Sequence, residues 1–414
     1  MNKVLNSSIA VALVTVLASA TVAMADEAAP ASGKPQVSIA AGKDLVAAQK
    51  ALNARHYDEL YADLDKVRAN PKKNDYDEYL ANLFASTAYI EQKKYQQALP
   101  ALEAIMASKY MGPAELRQRL VTATTLSYNL QNYDKTIEYG NRVIKEGNAS
   151  PQIQTVVAQS YYQKNDFRDA ERFVRAMVDA QIKAGQMPSE EVLLLGHDAA
   201  QKLNDSREAA RWTELLVTYH PKPEYWQNLL HDLYALKLSD RQNLQIYRLQ
   251  ADVGALKRGS DYADMAQLSL VVGAPGEAVS TLTKGFAANA FTDAADKNRN
   301  QHLLDSAKKE LAADQPVMAK NEAAAMAAPN GDQLVGVGIA YFGTADYAKA
   351  VKDIAAGLAK GVTKNPTDAR LSLGIAQLKA GDKDAALKTF HEVKGDPTDE
   401  KIAALWMLRA RSAS

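Results

Sequence analysis

One layout recurs along this chain at a nearly constant interval, and it limits the fold more than any single motif does. "QKKYQQALPALEAI" (Gln92 to Ile105), "QNYDKTIEYGNRVI" (Gln131 to Ile144) and "KNDFRDAERFVRAM" (Lys164 to Met177) share a polar approach, an aromatic residue and then apolar residues at helical spacing. Taking as marker the turn residue that in most units stands three places before an alanine or apolar residue gives Tyr57, Tyr95, Tyr133, Phe167, Ser206, Asp240, Pro275, Pro316, Tyr347 and Lys383. Successive markers lie 38, 38, 34, 39, 34, 35, 41, 31 and 36 residues apart. A unit of that length holds two helices of about a dozen residues and two short turns. Neither helix can bury its apolar stripe alone, so each pair must stack on its neighbours.

From Lys43 onward strand signals are nearly absent, and the apolar residues fall three and four apart, the helical period. The marker aromatic is expected at the turn of each pair, its ring covering the helix ends and its hydroxyl wet. Ala98, Ala170, Ala209, Ala278, Ala350 and Ala386 follow three places later, where a larger side chain would push the paired helices apart.

These units resemble tetratricopeptide repeats, best in "DQLVGVGIAYFGTADYAKAVKDIAAGLA" and "DARLSLGIAQLKAGDKDAALKTFHEV". The resemblance implies an all-α fold, a right-handed superhelical solenoid of stacked antiparallel helix pairs, with about ten units. It puts Gly338, Gly374, Ser86, Ala158 and Ala266 at the tight crossing of the first helix, and Tyr89, Tyr161, Tyr234 and Tyr341 against the neighbouring helix. Leu102, Leu282 and Phe390 take the large apolar position of the second helix. His197 departs from the pattern by occupying a small-residue slot, and Asp240 and Pro316 are poor markers. The expected division is a solenoid over 43–286, a degenerate repeat or helical insert over 287–330, a repeat pair over 331–397 and a capping helix over 398–414. The stretch from Pro223 to Phe286 is further similar to repeat proteins that accompany TonB-type energy-transducing systems of proteobacteria.

Residues 1–25 have the layout of a secretory signal peptide: Lys3, an apolar run from Ile9 to Leu17, and Ala23-Met24-Ala25 at the cut. Residues 26–42, rich in Ala, Pro, Gly and Ser, read as a flexible linker. The chain has no cysteine, which excludes both a lipid-modified terminus at the cut and disulfide stapling, so burial alone must stabilise it. A periplasmic location is expected. Lys plus Arg and Asp plus Glu balance at 49 each, so there is no net pull toward nucleic acid or anionic lipid.

Catalytic and metal signatures are missing from the sequence. No two of His56, His197, His220, His231, His302 and His391 lie three or four apart, and cysteine ligands for a structural zinc are absent. The glycines from Gly331 to Gly343 lack the GK[ST] ending of a phosphate loop and are read as close helix crossings. No G-x-S-x-G elbow occurs, and the carboxylates alternate with lysine and arginine as on a solvated helix face. We therefore expect no enzymatic activity, no metal and no cofactor. Trp226, within "YWQNLLHDLY", is read as core, and the amphipathic C-terminus, with Trp406, as a cap whose membrane contact is at most peripheral.

What remains is binding without chemistry. In a solenoid the first helices line the concave side, where an extended peptide can be gripped at several repeats. Tyr128, Asn129, Gln159, Tyr162, Gln163 and Lys202 lie on first helices away from packing positions, and their amide, phenol and ammonium groups suit a peptide backbone. The expected function is a periplasmic scaffold binding an envelope protein or peptide, in a TonB-like apparatus. The alternative is a cell-wall or polysaccharide assembly factor, which would use exposed tryptophan platforms, and only Trp212, Trp226 and Trp406 exist.

Overall fold

A computed structural model describes residues 35–147, 149–231, 233 and 237–412. The expected signal peptide, the first part of the linker and Tyr234 lie outside the described residues. The chain divides into two compact units that meet at Ser206 and Arg207. Among the described residues the secondary structure is helical throughout, with no strand.

In the N-terminal unit the helices run α1 (Ile39–Asn53), α2 (Tyr57–Ala69), α3 (Asp75–Glu91), α4 (Tyr95–Met106), α5 (Pro113–Asn129), α6 (Tyr133–Lys145), α7 (Pro151–Gln163), α8 (Phe167–Lys183) and α9 (Glu190–Lys202). Helix α1 takes in the last four residues of the expected linker. Its start is fixed by the Ser38 hydroxyl, which accepts from the Ala41 N–H at 3.2 Å, and by Asp77, whose carboxylate accepts from the Ser38 N–H at 3.0 Å. Helices α1 and α2, α3 and α4, and α5 and α6 pack as neighbouring pairs, and each pair packs on the next. Their shared core includes Leu45, Leu60, Leu80, Leu102, Leu120 and Val143.

The turn inside each pair repeats one backbone device. Two residues before the marker the backbone is left-handed at Arg55, Lys93, Gln131, Asn165, Asn204, Gly273, Ala345 and Gly381, with φ between 56° and 88°. The next N–H reaches back five residues: His56 to the Ala51 carbonyl, Asn132 to Ser127, Asp346 to Tyr341, Asp382 to Gln377. This closes the first helix and satisfies a carbonyl that would otherwise be orphaned. Asn132, Asp166, Asp346 and Asp382 then cap the second helix with their own side chains. The marker aromatic meets a ring five residues earlier, edge to face, in Tyr128–Tyr133, Tyr162–Phe167 and Phe342–Tyr347.

The C-terminal unit runs α10 (Ser206–Tyr219), α11 (Pro223–His231), α12 (Asp240–Asp252), α13 (Gly259–Val271), α14 (Pro275–Ala287), α15 (Ala294–Asp314), α16 (Met318–Ala327), α17 (Asp332–Gly343), α18 (Tyr347–Lys360), α19 (Pro366–Lys379), α20 (Lys383–His391) and α21 (Pro397–Ser412). The two poor markers differ from the rest. Asp240 opens α12 behind a capping box of Ser239 and Gln242. Pro316 lies in a 3-10 turn, Gln315–Val317, flanked by Asp314 and Met318 in right-handed helical conformation, where no left-handed residue closes a pair.

Helix α14 packs directly on α17, across that stretch. A Cβ on Gly276 would stand 2.5 Å from the Gly343 carbonyl oxygen, so the two backbones touch where no side chain fits. Helix α15 leaves this line and packs on α14 through Leu304 and Ala307, while α16 is held to α17 and α18 by Glu322. The Glu322 carboxylate accepts from Tyr341 Oη at 3.0 Å and from Lys352 Nζ at 2.7 Å.

The last helix does more than cover an end. Ile402, Ala403, Leu405, Trp406 and Ala410 of α21 are buried, and α21 packs on α12 as well as on α19 and α20. The apolar face that could have met a membrane is thereby occupied within the unit. All three tryptophans are at most 1% exposed.

Candidate binding surfaces

In the N-terminal unit the six residues singled out from the sequence fall on the ends of α5, α7 and α9. Asn129, Gln163 and Lys202 are each the last residue of their helix and are exposed. Tyr128 and Tyr162 precede two of them and are half-buried. Gln159 differs: it is only 6% exposed and is bonded on both sides. Tyr128 Oη donates to its Oε1 at 2.6 Å, and its Nε2 donates to Glu191 Oε1 at 2.8 Å.

One ladder therefore ties α5, α7 and α9 together, and it includes Glu191, which the sequence reading missed. The reason is one of register: partners lie 31 and 32 residues apart, shorter than the 34- and 39-residue marker intervals here. Aligning equivalent repeat positions cannot pair them. Burial, with Tyr133 and Glu191 nearby, pushes the Tyr128 hydroxyl up to about 12, so it stays protonated and donating. Burial, then the Asp198 carboxylate, likewise raises Tyr162. Tyr128 and Tyr162 are thus half-buried, while Asn129, Gln163 and Lys202 present unburied polar groups at one position in three successive repeats.

In the C-terminal unit the polar face of α12 is spent on internal contacts. Arg248 and Glu277 form a buried two-point ion pair, Nε to Oε1 at 2.8 Å and Nη2 to Oε2 at 2.7 Å. Gln245 Nε2 donates to Asp368 Oδ1 at 2.8 Å and Ser372 Oγ at 3.0 Å on α19, and Arg241 holds the other oxygen of Asp368 at 2.8 Å. Asp252 accepts from Lys379 and, at 2.6 Å, from Arg409 Nε on α21. Beside this network lies a cavity of about 570 Å³, lined from α12, α13, α14, α15, α17, α18, α19 and α21.

Among the described residues no group of three His, Asp or Glu side chains could hold a metal ion, and no helix is long and apolar enough to cross a membrane. His197 is buried on α9, in the slot that small residues fill elsewhere.

Among the described residues the chain is all-α, and within each unit helix pairs pack in series as in a helical solenoid. No protein-family model matches the sequence, and no curated protein matches it. Among solved structures it is similar to a tetratricopeptide repeat protein from Parabacteroides merdae, at 12% identity over 82% of this chain and 100% of that one, with a TM-score of 0.29. The APC/C hetero-tetramer Cut9–Hcn1 matches at 14% identity over 89% of this chain and 90% of that one, TM-score 0.20. The P58(IPK) TPR domain matches at 16% identity over 82% and 98%, TM-score 0.21. Likenesses this distant do not bear on what the chain binds.

Proposed function

We propose that this protein is an exported, non-catalytic scaffold whose N-terminal unit grips an extended segment of an envelope protein along α5, α7 and α9. The observation that carries the reading is the periodic set Asn129, Gln163 and Lys202, flanked by Tyr128 and Tyr162, with the Tyr128 hydroxyl held by Gln159. Amide and ammonium groups at regular intervals suit the carbonyls and N–H groups of an extended chain. The half-buried tyrosines add apolar contact at little entropic cost. The resemblance of residues 223–286 to repeat proteins of TonB-type systems favours a component of such an apparatus as the partner. The glycan reading is weaker because its tryptophan platforms are buried.

The test is cross-linking in intact cells followed by identification of the captured protein. Wild type should capture one defined envelope protein, and the triple variant N129A/Q163A/K202A should lose it while melting like wild type. Capture unchanged in the triple variant, or capture of isolated wall polymer without any protein, would overturn the reading.

A further inference from the structure

The cavity of the C-terminal unit carries a second inference, independent of the N-terminal surface. At about 570 Å³ it has the size of a small-molecule site. Tyr262, Met265, Phe342, Tyr347 and Trp406 give it an apolar and aromatic wall. Its only two acids are Glu277 and Asp252. Both oxygens of Glu277 are taken by Arg248, and the two oxygens of Asp252 are taken by Lys379 and Arg409.

The acids thus have partners on every oxygen, whereas the cations have capacity left. Lys379 Nζ has three donors and gives one to Asp252. Lys284, on α14 at the rim, is exposed and has no partner among the described residues. With Arg248 neutralised by Glu277, and Asp252 shared between two cations, the lining and its immediate partner Arg409 carry an excess of two positive charges. A cationic ligand would find no free carboxylate, and a neutral apolar one would leave the ammonium groups unused.

We infer that this cavity binds a small organic anion: an aryl or alkyl body against Tyr262, Phe342 and Trp406, with a carboxylate or sulfonate facing Lys284 and Lys379. Binding is reversible and needs no covalent step.

The experiment titrates purified protein with 8-anilinonaphthalene-1-sulfonate and with N-phenyl-1-naphthylamine, which has the same aromatic skeleton without the sulfonate. Fluorescence should report one saturable site for the sulfonate, about tenfold or more tighter than for the neutral probe. Ser280 lines the cavity but is exposed, so S280W should fill the space without disturbing the core. S280W and K284E should each weaken sulfonate binding by about tenfold or more, with thermal melting unchanged. Equal affinity for the two probes, no saturable binding, or sulfonate binding indifferent to S280W would overturn the assignment.

Discussion

The indole N–H of Trp406, on the last helix, donates to the backbone carbonyl of Gln245, 161 residues earlier, at 3.3 Å. With Arg409 on Asp252 and Gln242 on Asp399, this contact joins α21 to α12 and makes the C-terminal unit close on itself. Replacing Trp406 by alanine should cost about 3–5 kcal/mol, the range for a large buried aromatic. W406F, which keeps most of the packing and loses the N–H, should cost about 1 kcal/mol. Hydrogen exchange should speed up jointly in α12, α19 and α21 of W406A, with α1 to α7 unaffected.

The buried pair of Arg248 and Glu277 gives a sharper contrast. E277Q leaves a guanidinium 4% exposed without its counter-charge, and should destabilise by about 3–5 kcal/mol. The double variant R248M/E277L replaces both by apolar groups and should lie much nearer wild type. Urea denaturation of the three proteins measures the difference.

At the crossing of α19 and α20 a Cβ on Gly374 would stand 2.5 Å from the Phe390 ring. G374A should therefore lower stability by about 1–3 kcal/mol despite alanine's better helix propensity. Adding F390L should recover part of that loss. A double-mutant cycle by thermal melting reads the coupling.

Asp353 on α18 is fully buried, and neither of its oxygens has a hydrogen-bond partner. Burial first, then the Glu322 carboxylate, raises it above the ordinary carboxylate range, and Lys352 and Lys349 offset this only in part. The folded chain thus holds this proton more tightly than the unfolded chain. Its contribution is most favourable below the unfolded value of about 4, and falls as pH rises through the interval up to the raised folded value. D353N should remove that fall and gain roughly 1–2 kcal/mol at neutral pH. Melting curves from pH 4 to pH 8 should show the variant's advantage growing with pH.

Q159A should cost about 1–2 kcal/mol, because it strands the Tyr128 hydroxyl and one Glu191 oxygen. N129A, Q163A and K202A should each change stability by less than about 0.5 kcal/mol, as exposed positions do. Separate melts of the four variants check whether the backing and the presented groups are distinct.

The helix pairs were legible because burial forces a periodic signal. Ala98, Ala170, Ala350 and Ala386 are fully buried where the spacing put them. The aromatic marker was legible too, but the device that sets each turn was not. Its left-handed position holds Arg, Lys, Gln, Asn, Gly and Ala in different repeats, since the tertiary packing of the pair outweighs the local cost. Pro316 was a poor marker because spacing alone cannot tell a turn from a 3-10 break between helices. The contacts of α12 with α19 and α21 were out of reach for another reason: Arg241, Gln245 and Asp252 look like an ordinary solvated face until their partners more than a hundred residues away are known. At the candidate surface the exposed helix ends could be read from position, whereas Glu191 pairs out of step with the repeat interval.

The bypass of α15 and α16 has its own consequence. Because the Gly276 and Gly343 backbones already meet, the 294–327 excursion is not required to transmit the stacking from one pair to the next. Such a detachable loop of helix can lengthen, shorten or change its surface over generations without disturbing the register of its neighbours. It is the place in this unit where new sequence could be accommodated at the lowest structural risk.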